Sequence, residues 1–277
     1  MLTALEQLIW SLTYRPYVTL FMIFFLLLSW LEEGWKRTAL WVLSSYTIAL
    51  AAEWGSINHG IPFGYYVYHY DALANDLLVF GVPFFDTLSF SFLSYVSFSF
   101  ARFFMSPLAI RGLDVQRMES LAVRNGWPTL VLGSVLMVVV DLITDPVANL
   151  GRFWFLGDIY HYPDTGVHFG VTFANYCGWF AVALATLFVN QRIDEWLITR
   201  DGGKPQLADL TCKGLFAPCF WAGIVLFQLG VTWWLALGHN PGLDAGRVTL
   251  QAVTGSYILA PILLLAVMQL VKPSNRA

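Results

Sequence analysis

The chain has 277 residues, of which 57% are apolar and 12% charged, and its mean hydropathy is +0.62; a soluble domain carries about 25% charged residues. This excludes a soluble globular protein, and a net charge of −3 without any basic, aromatic-interleaved stretch excludes a nucleic-acid binder. An all-α polytopic membrane protein remains, because lipid offers backbone groups no partner outside a helix and the apolar runs lack the alternation of a membrane β-barrel.

The first fifteen residues carry Glu6 and Arg15 but neither the basic leader nor the small-residue cleavage site of a signal peptide, and predict a short interfacial helix ending at Pro16. Seven spans follow, at 17–35, 38–54, 77–101, 127–147, 166–190, 214–238 and 248–271, each near the ~20 residues needed to cross the hydrocarbon core. They form a single membrane domain over 1–277, with no internal repeat. The longest loops, 102–126 and 191–213, read as ordinary connectors. Of the 15 Lys and Arg, all but Arg15, Arg152 and Arg247 fall on one side of these spans. The positive-inside rule then places the N-terminus outside and the C-terminus in the cytoplasm, and the expected location is the bacterial inner (cytoplasmic) membrane. The basic face reads as anchoring alone. Cys177, Cys212 and Cys219 lack metal-ligand spacing and read as small apolar fillers.

Spans one, six and seven have no ionisable group at their centres, whereas spans two to five hold Glu53, Asp86, Asp141, Asp145 and His168. A charge at mid-membrane costs at least ~2.5–3.5 kcal/mol, so each needs a partner, a wet cavity or a proton. Glu53 ends span two, and Asp86 lies about two turns into span three. Asp141 and Asp145, four apart, share one face of span four, where Pro146 marks the end. Such close carboxylates resist double ionisation, so one holds a proton, as a general acid requires. They also fit helix capping or an Arg partner, although no span contains a Lys or Arg to pair with them. His168, Thr172 and Asn175, at i, i+4 and i+7, predict one polar stripe on span five. His168 suits a structural role as well as a functional one, and Asn175 suits an interhelical hydrogen bond.

The loops on the same side add Asn58, His59, His69, Asp71 and Asp76, then Asp158, His161 and Asp164, and His239 completes the five histidines there. Glu53, Asp71, Asp76 and Asp164 read as interfacial and solvated. No Glu-x-x-His, His-x-x-x-His or Cys-x-x-Cys occurs, so no metal is expected; His59 with His69, or His161 with His168, are the pairs a fold would have to join. Aromatic residues make up 17% of the chain and concentrate on this side. Part of them suits an interfacial belt. The rest suit a groove for a long apolar ligand, lined by Phe63, Tyr65, Tyr68, Trp154 and Trp179, whose ring faces would stabilise a carbocation.

Four motifs stand in a telling order: Gly60-Ile61-Pro62-Phe63-Gly64-Tyr65-Tyr66-Val67-Tyr68, Gly81-Val82-Pro83, Asp141-Leu142-Ile143-Thr144-Asp145-Pro146, and Phe169-Gly170-Val171-Thr172-Phe173-Ala174-Asn175-Tyr176-Cys177-Gly178-Trp179. Over residues 40–190 the chain resembles the carotenoid biosynthesis membrane family, which includes the CruF-type carotenoid 1,2-hydratases such as bisanhydrobacterioruberin hydratase. It departs from the family at His59, Asp86, Thr172 and Ala174, which are expected inside the pocket. The resemblance implies addition of water across the terminal 1,2 double bond of an acyclic carotenoid, without a cofactor. Asp141 or Asp145 would be the acid and its neighbour the ionised partner; His168 and Asn175 would position water, with Glu53 and Asp86 as second choices. The implied partners are a long apolar carotenoid or other isoprenoid lipid and the bilayer itself. Two readings compete: a proton-coupled transporter, for which no inverted repeat is present, and a non-catalytic carotenoid-binding protein.

Overall fold

A computed structural model describes residues 2–201 and 210–275. Lys204, Arg276 and the 202–209 part of the 191–213 connector lie outside the described residues. A short helix α1 (Ala4–Tyr14) is started by a capping box in which Thr3 and Glu6 satisfy each other's backbone N–H groups. Pro16 then opens α2 (Pro16–Glu33) at the position where a missing N–H costs nothing. The long helices α3 (Trp35–His59), α4 (Phe84–Met105), α6 (Trp127–Ala148), α7 (Phe173–Asp201), α8 (Lys213–Leu237) and α9 (Ala245–Val271) complete the bundle, with a one-turn α5 (Leu121–Arg124) before α6. Among the described residues six helices are long and apolar enough to cross a membrane, namely α2, α4, α6, α7, α8 and α9. The chain is therefore an all-α integral membrane protein. The second expected span corresponds to α3, which has the length but is more polar, with Lys36, Arg37, Glu53 and His59 along it.

Helix α4 is the central post, packing against α2, α3, α6 and α8. Ser91, Ser94, Ser97 and Ser99 are fully buried along it, and these small residues let neighbouring backbones approach closely. Ser45 of α3 donates to Ser91 Oγ at 2.9 Å, and the Trp41 indole N–H reaches the Ser91 carbonyl at 3.2 Å.

Two expected spans begin later than the hydrophobic run suggests. Span three starts at Phe84 instead of 77, because β2 (Leu78–Val79) and β3 (Val82–Pro83) form a hairpin first. Phe80 and Gly81 both have positive φ, 54° and 84°, as a two-residue hairpin turn demands. Asp86 therefore sits in the first turn of α4, not two turns in. Span five starts at Phe173 instead of 166, since Phe169 and Gly170 turn the chain through positive φ and His168 pairs with Val171 in a bridge. The expected stripe of His168, Thr172 and Asn175 does not form. Thr172 instead caps α7, its Oγ1 accepting from the Asn175 N–H at 3.3 Å.

The arginine-rich end corrects a second expectation, that its bases only anchor the chain. Arg102 and Arg124 are 2% and 4% exposed. Glu33 accepts from both, at 2.9 Å from Arg102 and 2.9 and 2.7 Å from Arg124. Glu119 meets Arg102 at 2.5 Å, and Asp194 of α7 meets Arg124 and Arg37 at 2.6 Å each. The connector that supplies Glu119 and Arg124 also folds a hairpin, β4 (Leu108–Arg111) with β5 (Asp114–Arg117), so it is built into the bundle. Cys177 and Cys219 lie on exposed faces of α7 and α8 and fill no core space, and Cys212 is half-buried.

Candidate active site

At the other end, α2, α3, α4, α6, α7 and α8 enclose a cavity of about 140 Å³. The helices contribute the acids: Glu53 from the last turns of α3, Asp86 from the first turn of α4, and Asp141 and Asp145 one turn apart on α6. Asn175 comes from the first turn of α7. Two tight loops bring the tyrosines. Strand β1 (Val67–Tyr68) pairs antiparallel with β6 (Tyr160–His161), Tyr68 opposite Tyr160. Side chains alternate across a strand, so Tyr66 and Tyr68, and Tyr160 and Tyr162, turn into the cavity while Val67 and His161 stay exposed. Gly178 holds this arrangement against α7, because a Cβ there would come within 2.7 Å of Phe63 Cα and of the Pro62 carbonyl oxygen. The Phe63 N–H is fixed from the other side by Ser56 Oγ, at 2.9 Å.

The carboxylates receive neutral donors. Asp145 accepts from Tyr160, from Tyr162 at 2.6 Å and from the Asn175 carboxamide at 3.0 Å; the same carboxamide donates to Asp141 Oδ2 at 2.7 Å. Glu53 Oε2 accepts from Tyr66. The Tyr68 hydroxyl stands 3.0 Å from Glu53 Oε2 and 2.8 Å from Asp86 Oδ2. A phenol has a single proton to donate, so when it serves one of these carboxylates the other contact needs a proton of its own. Burial first, and the nearby carboxylates second, push the hydroxyls of Tyr66, Tyr68, Tyr160 and Tyr162 up from the usual phenol range, which keeps all four as donors. No Lys or Arg among the described residues touches Asp141 or Asp145, and no group of three His, Cys, Asp or Glu among them is arranged to hold a metal ion.

Of the residues expected at the site, Asp141, Asp145, Asn175, Glu53 and Asp86 line the cavity, as do Phe63, Tyr68, Trp154 and Trp179. Trp179 stacks on Phe90 with ring centres 4.5 Å apart. His168 is elsewhere: its Nδ1 lies 2.6 Å from the Tyr176 hydroxyl, beside a separate small cleft. Tyr65 also stays out, 52% exposed with its ring over Gly60. Glu53 and Asp76 are buried, not solvated. Asp76 pairs with Arg15 at 2.6 Å, both side chains 1% exposed, while Asp71 and Asp164 are exposed. The histidines that meet are His69 and His161, 2.7 Å apart, instead of either expected pair. Among the departures from the family pattern only Asp86 lines the cavity; His59 and Ala174 are exposed, and Thr172 is the α7 cap.

Sequence reasoning missed Tyr160, Tyr162, Thr144 and Gln228, and assigned no role to Tyr66. The signal for the tyrosines was a repeated Tyr-x-Tyr, at Tyr66-Val67-Tyr68 and again at Tyr160-His161-Tyr162. Gln228 and Thr144 line the cavity, and their Oε1 and Oγ1 have no hydrogen-bond partner among the described residues.

The profile of the family described as carotenoid biosynthesis protein matches residues 14–239, so the match runs well past the 40–190 core on both sides. No curated protein and no solved structure gives a match to the chain.

Proposed function

The chain belongs to the carotenoid biosynthesis protein family, and from that premise we propose that it adds water across the terminal 1,2 double bond of an acyclic carotenoid by acid catalysis. The observation that carries this reading is the Asp141, Asn175, Asp145 chain of hydrogen bonds inside an aromatic-walled cavity. Among the described residues Asp145 accepts three hydrogen bonds from neutral donors and Asp141 one, which favours Asp145 as the carboxylate and Asp141 as the proton holder. Asp141 gives its proton to C2, and the electron pair of the double bond forms the new C–H bond. The cation left at C1 is tertiary and faces the rings of Trp179, Phe90 and Phe63, whose negative faces stabilise it. Water held by the unpartnered Gln228 and Thr144 oxygens adds to C1 and loses one proton to Asp145. Alkene and water become a tertiary alcohol, and the carboxyl pair keeps the one proton it began with. Transfer of that proton from Asp145 back to Asp141, one turn away on α6 and joined to it through the Asn175 carboxamide, resets the pair.

This reading sets the carboxylate end of the bundle on the outer side of a bacterial inner membrane and the arginine end in the cytoplasm, in line with the distribution of Lys and Arg. Expression in a bacterium that makes lycopene, followed by mass analysis of its pigments, tests the reaction. A gain of one water per modified end is expected, and loss of that gain in Asp141→Asn or Asp145→Asn. Unchanged pigments across a panel of acyclic substrates overturn it, and a gain that survives both substitutions overturns the acid role of the pair.

A further inference from the structure

The cavity lies inside the bundle with about 140 Å³ of free space, so a long extended isoprenoid seats one end in it and not its whole length. The remainder of the chain has to leave between two helices into the hydrocarbon of the bilayer. One seam is built for that exit. Tyr17 and Phe21 of α2 line the cavity together with Ile224 and Gln228 of α8. From there a continuous path of rings leads outward between the same two helices: Phe21 lies 5.9 Å from Phe227 and 6.0 Å from Phe220, and Phe220 lies 6.2 Å from Phe24. Phe24 is 60% exposed, so the path ends on the lipid-facing surface.

This seam also lacks polar ties, unlike the other contacts by which α2 and α8 are held to α3, α4 and α9 at the edge of the bundle. Helix α2 is hydrogen-bonded to α3 through Ser29 and Thr38 at 2.9 Å and to α4 through Tyr95 and Glu32 at 2.7 Å. Helix α8 is bonded to α9 through Trp233 and Ser256 at 3.1 Å. Among the described residues no hydrogen bond or ion pair joins α2 to α8; they meet through ring contacts. In lipid, apolar contacts between helices are exchanged for equivalent contacts with acyl chains or a polyene, so a seam of rings opens at little cost, whereas one closed by buried hydrogen bonds does not.

We infer that the seam between α2 and α8 is the side portal through which an acyclic isoprenoid passes its end group into the cavity, leaving the rest of its chain against Phe24 and Phe220 at the lipid boundary. The inference rests on the reading of the cavity as a carotenoid site, but not on the reaction performed there. The test uses the full chain in vesicles, with Cys177, Cys212 and Cys219 replaced by alanine and one cysteine returned at Phe24→Cys, Phe220→Cys or, on the exposed face of α9, Leu264→Cys. A bulky maleimide labels each variant with and without lycopene, and bound pigment is followed by its visible absorption. Bound lycopene should slow labelling several-fold at positions 24 and 220 and leave 264 unchanged. Equal labelling with and without bound pigment at 24 and 220, or protection at all three positions, overturns the portal, as does failure of the pigment to bind. Mass analysis of the bound pigment separates the two proposals: protection with unchanged mass, for lycopene and for the rest of the acyclic panel, sinks hydration and leaves the portal standing, and a gain of water without protection does the reverse.

Discussion

Glu33 and Asp145 are both carboxylates buried in helices of the same bundle, but Glu33 is held by Arg102 and Arg124, whereas Asp145 is held by Tyr160, Tyr162 and Asn175. At the arginine end Glu33, Glu119 and Asp194 each meet a fixed positive charge, so protons on them have no part to play and the cluster locks α2, α3, α4, α5 and α7 together. At the carboxylate end four acids share phenols and a carboxamide, no cation among the described residues touches Asp141 or Asp145, and the charge on that pair is set by where protons sit. The same side-chain chemistry thus serves cohesion in one place and proton handling in the other, and the difference lies in the donors.

The comparison breaks most readily at Asp141. Asp141→Asn keeps the shape and the contact with Asn175 but removes the transferable proton, so product formation should fall about 10²–10⁴-fold while thermal stability in detergent stays near that of the parent; equal losses in stability and product would make Asp141 a structural residue. At the arginine end the result should invert. Glu33→Gln takes from Arg102 and Arg124 the buried charge they share and leaves them Glu119 and Asp194, so the loss should approach, without exceeding, the about 3–5 kcal/mol of a buried charge left wholly unpaired, visible as a lower denaturation midpoint with unchanged activity per folded molecule. A smaller effect is expected for Tyr160→Phe, which removes one hydrogen bond to a carboxylate worth about 1.5–3 kcal/mol, or roughly ten- to hundredfold in rate if that carboxylate takes up the proton of water.

The pH response sharpens the contrast from the arginine end. Burial alone would raise the Glu119 carboxyl, but Arg102, Arg117 and Arg124 outweigh it and hold it down to about 2. A depressed folded value means that its contribution to stability is complete above the ordinary 4.5 and is lost as pH falls from there toward 2. The melting temperature should therefore drop across that window, and Glu119→Gln should flatten the drop. The smallest effect belongs to His168→Asn. Its imidazole contacts Tyr176 and lies away from the cavity, so product formation should stay within about twofold of the parent, the range of a substitution outside any critical contact.

Hydropathy made the long helices legible, and the unmatched charges in spans two to five pointed to four of the polar cavity residues, Glu53, Asp86, Asp141 and Asp145. What it did not reveal follows from what hydropathy ignores. The runs at 77 and 166 are apolar, but Phe80-Gly81 and Phe169-Gly170 turn the backbone before either helix begins, which moved Asp86 to a first turn and took His168 off α7. Arg102 and Arg124 look like anchors because their partners Glu33, Glu119 and Asp194 come from three separate segments. Tyr160 and Tyr162 were hidden in a loop whose pairing with β1 has no sequence signature beyond the repeated Tyr-x-Tyr.

The central claim, that protons at the carboxylate end add water to a double bond, is tested most directly by isotopes. Pigment formed by the wild-type protein in H₂¹⁸O and D₂O should carry one ¹⁸O and one carbon-bound deuterium per modified end. An oxygen that comes from O₂, or a product with no carbon-bound deuterium, would contradict the account.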